Sequence, residues 1–208
     1  MSFELTIALI ALSAYLLGSV SFAIVVSKIR GLKDPRTYGS HNPGATNVLR
    51  SGDKVAAVFT LLGDAAKGWL GVYLAMVYAR SSLPPDWQVT AVSVAAFAVF
   101  LGHLFPVFFR FQGGKGVATA LGVLLALDVM TALIAGLIWL VVAKVGKISS
   151  LAALCAAVAA PVAILLRHDL GVMFWSVLAI SVLLIYRHKQ NIQKLLRGEE
   201  KAFKRSDR

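Results

Sequence analysis

Apolar runs near residues 3–27, 55–79, 88–109, 117–127, 129–143, 150–166 and 170–186 take up most of this chain. Inside a bilayer the backbone has no water to bond, so such runs must satisfy their own polar groups, and they do so as helices. The first three are long enough to cross ~30 Å of hydrocarbon. With 58% hydrophobic residues in 208, the chain exceeds the half-apolar composition of soluble domains. The expectation is an all-α integral membrane protein, with a membrane domain over 1–187 and a basic tail over 188–208. Glu4 and no basic residue precede the first run, and no small-residue cleavage site precedes Lys28. The first run is therefore expected to stay as a span, not to leave as a signal.

The fourth and fifth runs are short, and one tilted helix interrupted by Asp128 is the alternative to two. Charge separates these cases. Seven spans with the N-terminus outside (periplasmic) gather Lys28, Arg30, Lys33, Arg36, Arg50, Lys54, Arg110, Lys115, Lys144, Lys147 and the tail from Arg187 to Arg208 on one face. The other face keeps Arg80 and Arg167. Six spans would move the tail opposite Lys28 and Arg30. An excess of lysine and arginine marks the cytoplasmic side, so seven transmembrane helices and a cytoplasmic C-terminus are expected. The net charge of +11 lies in short loops between spans, which speaks against nucleic acid as a partner. The single cysteine, Cys155, permits neither a disulfide framework nor a cysteine metal cluster.

Polar residues that interrupt such a chain are costly and seldom idle. Gly102 to Thr119 sets His103, the turn Gly113-Gly114-Lys115-Gly116 and Thr119 between two apolar runs. Glycines beside a lysine let backbone N–H groups close on an anion while the ammonium adds charge. The turn is not the nucleotide P-loop, whose pattern differs. An earlier loop, Tyr38 to Arg50, builds turns on Gly39, Pro43 and Gly44. There Ser40, Asn42, Thr46 and Asn47 offer neutral hydrogen bonds, and Arg50 offers a planar fork suited to phosphate. A capped loop in which Asn and Thr bond their own backbone accounts for the same residues. Asp64 and Lys67, three apart on one helix face, read as an internal pair. His103 reads as a structural donor before it reads as a catalyst, and Asp128 as a helix cap. Ser149-Ser150 opens the sixth run, where one serine is a cap and Ser150 is left to meet an anion. His188 and Asn191, three apart at the end of the seventh, share a face.

Taken together these segments resemble the bacterial acyl-phosphate-dependent glycerol-3-phosphate acyltransferases, the PlsY family. Gly18 to Ala23, Gly39 to Arg50, Asp64 to Gly68, Gly102 to Thr119, Ser149 to Leu151 and His188 to Ile192 carry the likeness. His41 stands where the family often has glycine, and Gln112 where lysine is common. The resemblance implies transfer of a fatty acyl group from acyl phosphate to the sn-1 hydroxyl of glycerol 3-phosphate. Lysophosphatidic acid and phosphate would result, as the first step of phospholipid synthesis at the bacterial inner membrane. Substrate contacts are implied for Ser40, Arg50, Lys115, Ser150, His188 and Asn191. His188 or the substrate phosphate would accept the hydroxyl proton, and Asn191 would orient the hydroxyl. Neither metal nor cofactor is expected. Membrane lipid and a soluble enzyme that makes acyl phosphate are the implied partners. No HxxxxD pattern follows any of the histidines, unlike soluble-type acyltransferases. A transporter for a phosphorylated anion is the alternative, although no internal repeat supports it.

Overall fold

The computed structural model describes residues 2–200 and Ala202. Its elements are α1 (Phe3–Gly18), α2 (Phe22–Ile29), α3 (Ala45–Leu49), α4 (Lys54–Ser82), α5 (Pro85–Leu104), a 3-10 turn (Val107–Phe109), α6 (Val117–Leu127), α7 (Val129–Gly146), α8 (Ser149–Arg167), α9 (Val172–Arg187) and α10 (Lys189–Leu196). No strand occurs among the described residues. Five stretches are long and apolar enough to cross a membrane: Phe3–Ile29, Lys54–Ser82, Pro85–Phe109, Val129–Gly146 and Ser149–Arg167. Val172–Arg187 with Lys189–Leu196, bent by 58°, makes a sixth. The protein is a multi-pass membrane protein. A helix stands at each expected run, but α6 has only 11 residues. At 1.5 Å per residue it covers about 16 Å, half the hydrocarbon thickness. Asp128 is extended (φ −155, ψ 104) and caps α7 instead of continuing α6, so the two are separate helices.

Two compact units divide at this point, Met1–Leu127 and Asp128–Arg208. Residues 189–196, at the start of the expected basic tail, form a helix that packs on α9. In the first unit, small residues let helices touch backbone to backbone. A Cβ on Gly18 would strike the Val99 carbonyl, and one on Gly102 the Tyr15 carbonyl, so α1 lies directly on α5. Gly68 abuts the Thr119 carbonyl and Gly122 the Ala65 carbonyl, which seats α6 on α4 in the same way. Tyr15 OH donates to the Phe105 carbonyl (2.7 Å), closing the end of α5. Asp53 caps α4 by accepting from the Ala56 amide (2.9 Å) and pairs with Arg30 (2.9 Å) at the end of α2.

The second unit packs α8 between α7 and α9. At one end Asp128 accepts from the Thr131 amide (2.8 Å), from Arg167 Nε (3.1 Å) and from His168 Nε2 (2.6 Å). Desolvation alone would raise this carboxyl, but these three donors outweigh it and lower its pKa from 3.8 to about 2. A depressed acid stabilises the fold above its unfolded value and loses that contribution as the pH falls through its folded value. Asp128→Asn should therefore lower the thermal midpoint of the purified protein at neutral pH. The gap from wild type should shrink as pH falls from 3.8 toward about 2. A gap unchanged down to the acid end would remove charge from the explanation.

Candidate functional site

In the first unit the loop Tyr38–Arg50 is folded around Asn47, which is 1% exposed. Its Nδ2 donates to the carbonyls of Pro35 (2.7 Å) and Tyr38 (3.2 Å), and its Oδ1 accepts from the Ser40 amide (3.0 Å). Asn47 is thus the internal tie of the loop, and both ends of its amide are engaged with backbone. Ser40 is exposed beside it, Asn42 and Thr46 are half-buried, and Arg50 is exposed at the end of α3. Gly39 has φ +62, and a Cβ there would meet Asn47 Oδ1 and, at 3.3 Å, Arg50 Cδ. His41 holds φ +55 and donates from Nδ1 to the Arg36 carbonyl (2.9 Å). That left-handed backbone is what glycine adopts freely, which explains why the resemblance puts glycine at this position. The one acid of the segment before it, Asp34, is held below its ordinary pKa by hydrogen bonds from Arg36 (2.7 Å at the closest), so its charge is matched locally.

The glycine turn is seated on the end of α5. Gly114 N–H donates to the His103 carbonyl (3.2 Å). A Cβ on Gly113 would strike the carbonyls of His103 and Leu104. A Cβ on Gly114 would strike His103 Nε2 and come within 2.9 Å of the Pro43 carbonyl. Gly114 is therefore where the two loops meet, and no side chain fits between them. Gly116 turns at φ +86 against the Phe100 ring, and Lys115 is half-buried. Before the turn, Arg110 (φ 54) and Phe111 (φ 59) are both left-handed without being glycine, a local strain that brings the chain round into the turn.

Thr119 is 0% exposed and bonds His103 Nδ1 (3.1 Å), which ties the start of α6 to the end of α5. Asp64 and Lys67 form the expected internal pair (3.0 Å), with His103 Nδ1 3.6 Å from the same carboxylate. His103 joins this buried cluster, as the structural reading anticipated.

In the second unit Ser150 is buried at the first turn of α8 and Asn191 half-buried at the first turn of α10. His188, 2% exposed, sits at the bend between α9 and α10, and its Nδ1 lies 2.8 Å from the Leu184 carbonyl. A carbonyl only accepts, so Nδ1 carries a proton and donates it to Leu184. Sequence reasoning missed Glu200, whose Oε1 accepts from Ser150 Oγ (2.7 Å) and Asn191 Nδ2 (2.6 Å). In sequence it is only one of three acids, with Glu199 and Asp207, in a basic tail. Among the described residues no group of three metal-ligating side chains occurs.

Residues 8–198 match the glycerol-3-phosphate acyltransferase family. The chain belongs to that family. It is 59% identical over 196 residues to the glycerol-3-phosphate acyltransferase of Burkholderia ambifaria, covering 93% of this chain and 89% of that protein. The Burkholderia lata enzyme of the same name is 60% identical with the same coverage. The fold is similar to crystal structures of PlsY, an integral membrane glycerol 3-phosphate acyltransferase. In the glycerol 3-phosphate form the TM-score is 0.86 at 37% identity, covering 96% of both chains. In the lysophosphatidic acid form it is 0.84 at 36%, again over 96% of both. Membership settles enzyme against transporter: the protein is an acyltransferase.

Asn47→Ala should leave the Ser40 amide and the Pro35 and Tyr38 carbonyls without their partner, at about 1–3 kcal/mol for each buried group. The expected result is a lower unfolding midpoint and new proteolytic cleavage between residues 35 and 47. An Asn47→Ala protein as stable and protease-resistant as wild type would disprove the tie.

Proposed function

We propose that this protein transfers a fatty acyl group from acyl phosphate to the sn-1 hydroxyl of glycerol 3-phosphate, in the bacterial inner membrane. The products are lysophosphatidic acid and inorganic phosphate. The observation that carries this reading is the seating of the glycine turn against the first loop at Gly114 and Pro43, which joins two anion-type loops in one unit. Arg50, Lys115 and the amides of Gly113, Gly114 and Gly116 serve as the phosphate-binding set, with Ser40, Asn42 and Thr46 beside them. Asn47 acts by holding the loop. Seven crossings with the N-terminus outside place these loops in the cytoplasm, where glycerol 3-phosphate and a soluble supplier of acyl phosphate are found. The short α6 then sits deep or in a thinned bilayer.

Acyl phosphate is a mixed anhydride, so its leaving group needs little help and neither a metal nor a cofactor is required. The hydroxyl oxygen bonds to the acyl carbon, and the bond from that carbon to the phosphate oxygen breaks. The electron pair leaves with phosphate. Positioning and anion stabilisation supply most of the barrier reduction. Asn191 orients the hydroxyl, and the proton passes to the substrate phosphate. The near-complete burial of His188, with Nδ1 committed to Leu184, favours a role in setting the α9–α10 bend over a role as base.

Arg50→Ala and Lys115→Ala should each lower kcat/KM by thirty- to a hundred-fold or more, corresponding to ~2–3 kcal/mol for a charged hydrogen bond to the bound anion. Phosphate release from purified variants measures this, and wild-type rates in either would refute the assignment. His188→Gln should keep much of the activity and the acid limb of the rate–pH profile, because phosphate itself titrates near pH 6. Loss of both would make His188 the base. Acyl-CoA should not replace acyl phosphate. Single cysteines at Ser2 and Ser82, in a Cys155→Ala background, should label from the periplasm and one at Ser51 from the cytoplasm. Any other pattern overturns the orientation.

A further inference from the structure

Past α10 the chain turns back on itself. Gly198 takes φ +68, its amide donates to the Leu195 carbonyl (3.1 Å), and the Glu199 amide donates to the Lys194 carbonyl (2.8 Å). This is the glycine-terminated reversal of a helix. Leu196, Arg197, Gly198 and Glu199 are all exposed, and a Cβ on Gly198 would meet nothing within 4 Å. Glu200 then turns inward and is half-buried. Its Oε1 accepts from Ser150 Oγ (2.7 Å) and Asn191 Nδ2 (2.6 Å). Those two hydrogen bonds, not packing, hold the returning segment in place.

Basic residues are plentiful near Glu200 in sequence, at Lys194, Arg197 and Lys201. Yet its carboxylate goes to two neutral donors, a hydroxyl and an amide. Each donor stands in the first turn of a helix, Ser150 in α8 and Asn191 in α10. First turns carry backbone N–H groups without helical partners and the positive end of the helix dipole, so both favour an anion. The chain's own acid has settled where an oxyanion is welcome. A phosphate oxygen accepts from the same kinds of donor.

We propose that Glu200 sets the affinity for glycerol 3-phosphate: in the free enzyme its carboxylate holds the place of a substrate oxygen beside Ser150 and Asn191, and the substrate must displace it. This rests on the reading that Asn191 meets glycerol 3-phosphate. Displacement disturbs little else, because the segment swings about Gly198, an exposed turn with no side chain to obstruct it. A site closed ~90% of the time raises the apparent dissociation constant about tenfold. The returning carboxylate also competes with the phosphate of the product, lysophosphatidic acid, and so favours its departure.

Calorimetric binding of glycerol 3-phosphate to the purified full-length protein, without acyl phosphate, tests it. Glu200→Ala should bind roughly five- to twentyfold more tightly than wild type. Its KM for glycerol 3-phosphate should fall by a similar factor, while KM for acyl phosphate stays near wild type. Inhibition by added lysophosphatidic acid should strengthen to match. Glu200→Gln, which keeps the size and an acceptor oxygen but not the charge, should fall between the two. Glu199→Ala removes the same charge one residue away and should bind as wild type does. Equal tightening by Glu199→Ala would assign the effect to net charge and overturn the proposal. Unchanged or weaker binding in Glu200→Ala also overturns it, since a carboxylate that only supports the fold gives that result. So does tightening toward acyl phosphate in place of glycerol 3-phosphate. Asn191→Ala added to Glu200→Ala tests the reading beneath, because no competing carboxylate is then present, and binding should weaken. No weakening would remove that reading and the proposal with it. Weakening there, without tightening in Glu200→Ala alone, would overturn only the proposal.

Discussion

The first unit depends on a charged pair sealed inside a membrane helix. Asp64 and Lys67 are each 2% exposed, and neither can be left unmatched. The ammonium lies 3.0 Å from the carboxylate and donates to the Val20 carbonyl at 2.6 Å. Val20 lies in the break between α1 and α2, where the helix no longer satisfies its own carbonyls. One lysine therefore neutralises an acid and closes a helix break. His103 and Thr119 extend the cluster to the end of α5 and the start of α6. Removing one partner of such a pair costs about 3–5 kcal/mol, because the other charge remains buried. The glycine turn joins α5 to α6, so its two ends are fixed by the same cluster that holds α4.

Packing around this cluster leaves little room. Gly18, Gly68, Gly102 and Gly122 each stand where a Cβ would enter a neighbouring backbone. Large apolar residues such as Phe59, Leu62, Leu133 and Leu137 lie on the exposed faces instead. In lipid those faces need no partner, and close backbone approach holds the helices together. Rigidity at the crossings is what lets a short glycine turn keep one shape.

Much of this was legible in the sequence, and for physical reasons. Apolar runs gave every long helix, since a continuous apolar run in a bilayer satisfies its own backbone only as a helix. The three-residue spacing of Asp64 and Lys67 gave their pairing. The run over 117–127 coincided with α6, and Asp128 was read as the helix cap that it is, because an acid between two apolar runs ends one helix and starts the next. Asn47 and Thr119 have the chemistry of anion ligands, and only the fold shows one tied to its own loop and the other sealed against His103. Glu200 was invisible for a different reason. Its bond to Ser150 spans fifty residues of sequence, and such a contact has no local signature.

The contacts of Tyr15 with Phe105 and of Ser19 with Val107 join positions 90 and 88 residues apart. During synthesis the first span therefore enters the membrane long before its packing partner exists. At ordinary translation rates α5 follows on the order of ten seconds later. Until then Gly18 has no backbone to lie against, and Tyr15 has no carbonyl to meet. The glycine turn rests on the end of α5, so it too follows the synthesis of that helix. The amino-terminal helix thus acts as a waiting surface, and enzyme competence is reached late in biogenesis, by recapture of the earliest span.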